Sequence, residues 1–180
     1  MTTCPNCGSI VMNGDSYCTH CGSTLRWSGN DEDDYEHGRR IANKRRRSRE
    51  LQKEAWKQRQ NGDPYYAEEL INEAIELDRR NDENWNVKGI IMEDLYYDEN
   101  QGQATIVEAY ACYLNALKIK PYGETLKRNM AGFLIGWAED FIQKQNYNKA
   151  LEKINEALSY IDDKNSDNYK KAMELKEKIE

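Results

Sequence analysis

A mostly α-helical chain with a small cysteine-held module at its N-terminus is what the sequence predicts, and three observations predict it. Four of the five cysteines fall in two Cys-x-x-Cys pairs, Cys4 with Cys7 and Cys18 with Cys21. From Ser48 onward, apolar and small residues recur at helical spacing, on a frame that itself repeats about every 34 residues. Between Trp85 and Pro121, the order Trp85, Gly89, Ala109, Tyr113, Ala116, Leu117 and Ile119 is that of two helices packed as a hairpin. Small residues at Gly89, Ala109 and Ala116 let the two helices approach, and Trp85 and Tyr113 fill the seam.

Composition bounds what such a chain can be. Of 180 residues, 38% are hydrophobic and 32% charged, with a mean hydropathy of −1.01. No run approaches the ~18 apolar residues that a membrane helix needs, and no charged segment followed by an apolar one opens the chain. A cytoplasmic, reducing environment is therefore expected. The net charge of −6 is unevenly spread: residues 1–60 hold 11 Lys and Arg against 8 Asp and Glu, and residues 61–180 hold 15 against 24.

The first module is expected over residues 1–27. Each cysteine pair can form a knuckle in which two thiolates face one ion, and Gly8 and Gly22 can take the positive φ that turns backbone N–H groups toward sulfur. Pro5 fixes φ where the first knuckle turns. Four thiolates leave no open coordination position, so the ion would be structural. The apolar residues available, Ile10, Val11, Met12, Tyr17, Leu25 and Trp27, are too few for a core, so the metal must supply the folding energy. One Zn²⁺ is the expected occupant. Iron, a redox-active dithiol and paired disulfides are the alternatives, and His20 is read as an exposed polar residue, not a ligand. The stretch CPNCGSIVMNGDSYCTHCGSTL resembles the short zinc-ribbon modules of prokaryotes. That resemblance implies a knuckle-and-hairpin fold with Cys4, Cys7, Cys18 and Cys21 as ligands, and both nucleic-acid and protein contacts occur in the family.

Residues 28–47 read as an acidic-then-basic linker or helix extension. Trp27, Ser28, Gly29 and Asn30 close the first module, and Asp31, Glu32, Asp33, Asp34 and Glu36 precede a dense run of cations. Arg39, Arg40, Lys44, Arg45, Arg46, Arg47 and Arg49 are candidate phosphate contacts. No aromatic side chain for base stacking interleaves them, which favours non-specific contact. The alternatives are a run folded back on the preceding acids and a helix that is merely solvated.

The helical domain is expected over residues 48–180. Its first repeat spans 48–81, with Leu51 and Ala55 on one helix, a turn at Gly62-Asp63-Pro64, and Ala67, Ile71, Ala74, Ile75 and Leu77 on the next. Asp63 suits an N-cap and Pro64 a first helical position. The second spans 82–123, and the third spans 131–164 with Leu134, Ala138, Phe141, Ala150, Ile154, Ala157 and Leu158. A capping helix follows over 166–180, with Tyr169, Ala172, Met173, Leu175 and Ile179 on one side. These positions resemble tetratricopeptide repeats, which implies an α-α superhelix of three helix pairs whose groove binds a protein. The second repeat exceeds the frame by eight residues around 96–103, read as a tyrosine-bearing protrusion at the helix turn or simply as longer helices, and extra residues near 124–130 separate repeats two and three.

The groove-facing positions would be Arg49, Gln52, Trp56 and Arg59, then Glu83, Asn86, Ile90 and Glu93, then Ile135, Glu139 and Ile142. They lack the cationic clamp for a peptide carboxylate that the resemblance would suggest. Glu83, Asn86, Glu93, Tyr96 and Tyr97 are the candidate partner contacts, with Cys112 in a seam as packing. No catalytic site is expected: only His20 and His37 exist, neither beside a patterned nucleophile, and Gly29 and Gly38 are isolated, so no phosphate-cradling loop forms. The expected function is a non-enzymatic adaptor that binds a protein through its repeats, with no small-molecule substrate. The alternative is an RNA- or ribosome-associated factor that uses the ribbon and the basic helix on phosphates.

Overall fold

The computed structural model describes residues 2–4, 6–12, 17–25, 31–98 and 106–180. Pro5, residues 26–30 with Trp27, and residues 99–105, where most of the expected protrusion falls, lie outside the described residues. The chain divides into two compact units, Met1–Asn43 and Lys44–Glu180.

In the first unit, β1 (Thr2–Thr3) pairs antiparallel with β2 (Ile10–Val11), with Thr2 opposite Val11 and Thr3 opposite Ile10. A single bridge joins Tyr17 to Thr24. Among the described residues, Cys4, Val11, Cys18 and Leu25 are the ones buried there. Ile10, Met12 and Tyr17, expected among the few core residues, are instead 70, 74 and 63% exposed. Strand alternation explains the first two: Val11 points inward, so its neighbours point out.

Among the described residues seven helices follow. They are α1 (Asp31–Gln60), α2 (Pro64–Leu77), α3 (Asp82–Tyr97), α4 (Ile106–Ile119), α5 (Glu124–Gln143), α6 (Tyr147–Ser159) and α7 (Asp167–Ile179). Starts are set by local chemistry. Asp63 accepts from the Tyr66 N–H at 3.0 Å with Pro64 as the first helical residue of α2, and Ser166 caps α7 by accepting from the Tyr169 N–H. Asn81 and Asn146 cap α3 and α6 in the same way.

Two expected boundaries move. The stretch read as a linker or helix extension is helical from Asp31 on, within a 30-residue α1. No proline from Asp31 to residue 60 interrupts a helix. Residues 124–130, read as extra between repeats, are the first two turns of α5, where Leu126 and Met130 are buried.

The helices of the second unit pack in neighbouring pairs, α3 on α4 and α5 on α6. One continuous core joins them, including Leu51, Ala67, Ile71, Ile91, Tyr113, Leu134, Ile154 and Leu175. The seam between α3 and α4 closes as expected at Gly89, where an added Cβ would stand 3.0 Å from the Tyr113 ring. Ala109 and Ala116 are fully buried beside it, and Cys112 is buried as packing.

Polar side chains also tie each odd helix to the next odd one. Arg59 on α1 donates twice to Asp94 on α3, at 2.5 and 3.1 Å, and Asn84 on α3 donates to Ser48 on α1 at 2.8 Å. Asn129 on α5 donates to Asn86 on α3 at 3.0 Å. Lys171 on α7 pairs with Glu139 on α5 at 2.8 Å, and Asn168 donates to the Arg128 carbonyl at 3.0 Å. The same stagger joins α4 and α6, where Tyr110 donates to Glu156. Stacked helix pairs produce this one-to-third contact, because each pair leaves both its layers open to the next.

Candidate metal centre and partner face

The two cysteine knuckles are built alike. Cys4 N–H donates to the Ser9 carbonyl and Cys18 N–H to the Ser23 carbonyl, each at 2.8 Å. Gly8 and Gly22 N–H donate back to the Cys4 and Cys18 carbonyls, also at 2.8 Å. That closure needs a left-handed residue after the second cysteine of each pair, and Gly8 and Gly22 supply it with φ of 74° and 71°.

The knuckles bring together Cys4, Cys7, Cys18 and Cys21, whose sulfur atoms all lie within 4.8 Å of one another. Cys4 Sγ is 3.8 Å from Cys21 Sγ, and Cys7 Sγ is 3.7 Å from Cys18 Sγ. A tetrahedron with metal–sulfur bonds of about 2.3 Å has edges of about 3.8 Å, so the set fits a metal ion. These S···S separations are also well beyond the ~2.05 Å of a disulfide. His20 is exposed and outside the cluster.

The surrounding groups favour thiolates at the exposed positions. The Ser9 hydroxyl and backbone N–H hold Cys7 below the usual thiol range. The Ser23 hydroxyl, 3.2 Å from Cys21 Sγ, and the Ser23 N–H bring Cys21 down to about 5, with Cys7 and Asn6 adding to the effect. At Cys18, backbone N–H groups of Cys21 and His20 act downward, while burial and the neighbouring thiols act upward and bring it to about 11.

Asn6 crosses between the knuckles, its amide 2.7 Å from Ser23 Oγ and 3.7 Å from Cys21 Sγ. The sequence reading missed Asn6, Ser9 and Ser23. The signal was there for the serines, since Cys-Gly-Ser occurs at both 7–9 and 21–23.

The partner-contact candidates divide in the structure. Glu83 and Tyr97 are exposed, Tyr96 is half-buried, and Asn86 is buried against Asn129. Tyr96 and Tyr97 form the last turn of α3, their rings edge to face at 5.0 Å, so at these two residues the longer-helix reading holds and the protrusion does not. Glu93 turns into the α3–α4 seam, where Tyr113 donates a hydrogen bond to it. Burial raises the Glu93 carboxyl to about 7, against the lowering effect of the Tyr113 hydroxyl. Ile135 is buried, which removes it from the groove positions, and Ile142 packs on the core.

Two glycines missed in the sequence occupy this face of α5 instead. A Cβ at Gly132 would stand 3.8 Å from the Asn168 amide, and one at Gly136 would stand 3.5 Å from the Tyr97 hydroxyl. Their i, i+4 spacing was the available signal.

The basic residues Arg39, Arg40, Lys44, Arg45, Arg46, Arg47 and Arg49 are all exposed on α1. No helix among the described residues is long and apolar enough to cross a membrane. No protein-family model matches the chain, and no curated protein matches it either.

Proposed function

We propose that the four thiolates hold one structural Zn²⁺ and that the chain is a non-enzymatic, cytoplasmic adaptor. In this reading the helical unit is a tetratricopeptide-like array that takes a protein partner along the face of α3, α5 and α7, and the zinc module is a second contact point. The observation that carries it is the ladder of side-chain bonds between successive odd helices, Arg59 to Asp94, Asn86 to Asn129 and Lys171 to Glu139. It ties α1, α3, α5 and α7 in succession, with Tyr97 and the two α5 glycines along them. Zinc is preferred because an all-thiolate tetrahedral set suits it and leaves no position for chemistry.

The test is partner capture by the full chain against Gly132→Arg. A Cβ there meets only the Asn168 side chain, at 3.8 and 4.0 Å, so a side chain can start from this position without a clash at its root, and the rest of the arginine is expected to block the face. A protein retained by wild type and by Asn115→Arg on the exposed side of α4, but lost with Gly132→Arg, supports the reading. Identical retention by all three sinks it.

A further inference from the structure

Residues 39–49 of α1 hold seven cations and no acid. Every residue from 35 to 47 is exposed, so over this stretch no described part of the protein covers any side of the helix. The stretch ends on an anchor: Ser48 is fully buried, donates to the Ala74 carbonyl at 2.8 Å and accepts from Asn84. The basic turns are therefore continuous with a helix fixed into the core.

Their charges are only weakly spent internally. Arg40 pairs with Glu36 at 3.1 Å and Arg46 and Arg47 share Glu50 at 3.9 Å, at exposed positions where such pairs contribute little, and Arg45 reaches the half-buried Asp78 only at 3.8 Å. Arg39, Lys44 and Arg49 have no carboxylate partner among the described residues.

The angular distribution decides what fits. At about 100° per residue, Arg39, Arg40, Lys44, Arg45, Arg46 and Arg49 leave no side of the helix without a cation. An acidic protein surface would engage one side only. A membrane surface would need an apolar stripe, and residues 39–49 offer only Ile41 and Ala42. A duplex groove has phosphates on both walls. The B-form major groove, about 12 Å wide, admits a helix of about 10–12 Å diameter, whereas the deep, narrow major groove of an RNA duplex does not.

We propose that this stretch is a binding surface for double-stranded DNA, lying in the major groove with its cations on the phosphates of both strands. The exposed residues 39–47 run about 14 Å, or about four base pairs. The contact is mainly to phosphate and does not depend on the partner face of the repeats, so it stands or falls separately from the adaptor reading.

The experiment is fluorescence anisotropy of the full chain with a labelled 20-base-pair DNA duplex, titrated between 50 and 200 mM salt. Binding should weaken with a log–log slope between about −4 and −6, for five to seven phosphate contacts. Arg45→Gln/Arg46→Gln/Arg47→Gln, which keeps helix propensity, should bind about tenfold or more weakly and flatten the slope. The control, Lys118→Gln/Lys164→Gln/Lys170→Gln, removes as much charge from exposed sites elsewhere and should bind as wild type does. No binding at 50 mM, equal loss in the control, or an RNA duplex of the same sequence bound as tightly would each overturn the proposal.

Discussion

The two units of this protein are held together by opposite means. In the first, among the described residues, two short strands, one bridge and the buried Val11 and Leu25 accompany a cluster of four sulfurs, of which Cys4 and Cys18 are buried, while Ile10, Met12 and Tyr17 stay in water. In the second, one apolar core runs through every helix from α1 to α7. The difference teaches how stability is supplied at each scale. A segment of about 25 residues cannot bury enough surface to offset its chain entropy and needs cross-links of the kind that an ion held by its four sulfurs would supply, whereas packed helix pairs add buried area with every pair.

Removing the metal breaks the comparison most directly. Chelation at neutral pH should unfold residues 2–25 and leave the α-helical signal and melting of the second unit unchanged, because metal binding supplies about 10–16 kcal/mol to modules of this kind. Amide spectra before and after chelation, with one zinc per chain measured beforehand, give the result. Joint loss of both units would mean that the helices, too, lean on the metal.

A smaller effect separates the units by pH. Metal affinity rises with pH, since thiols must lose protons to bind. The helical unit should respond the other way through Glu93. Its carboxyl is raised to about 7 in the folded chain, from 4.5, so its contribution is fully present below about 4.5 and is lost as pH rises through 7. The span is worth about 3 kcal/mol. Denaturant unfolding at pH 5 and pH 8 should show that decline in wild type and not in Glu93→Gln, which keeps a polar partner for Tyr113. Parallel curves for the two proteins would mean that Glu93 is more solvated than its position indicates.

The smallest effect sharpens the point that the helices are locally as well as globally specified. Asp63→Ala removes the N-cap of α2 and should cost about 1 kcal/mol in thermal unfolding of the second unit, with the metal module unaffected.

Much of this was legible in the sequence, for physical reasons that differ by element. The Cys4, Cys7, Cys18 and Cys21 cluster could be read because ligand spacing within a knuckle is short-range geometry. The Asp63 and Ser166 caps could be read because they satisfy backbone groups within three residues. The Gly89 and Tyr113 contact could be read because one small residue opposite one ring is a pattern of type and period. The α5 start could not, since Leu126 and Met130 became core only once α5 packed against its neighbours.

By itself, then, the sequence determined the four-sulfur cluster, the predominance of helix, the caps and the segregation of charge into α1, all of which depend on residue type at close spacing. The tertiary structure alone decided which side of each helix is covered. It turned Glu93 from an expected surface contact into an acid bonded to Tyr113 in a seam, placed Ile135 in the core, and set Gly132 and Gly136, both half-buried, beside Asn168 and the Tyr97 hydroxyl. Burial is a property of what lies opposite, and the phase of one helix against another is fixed by distant residues that no local pattern contains.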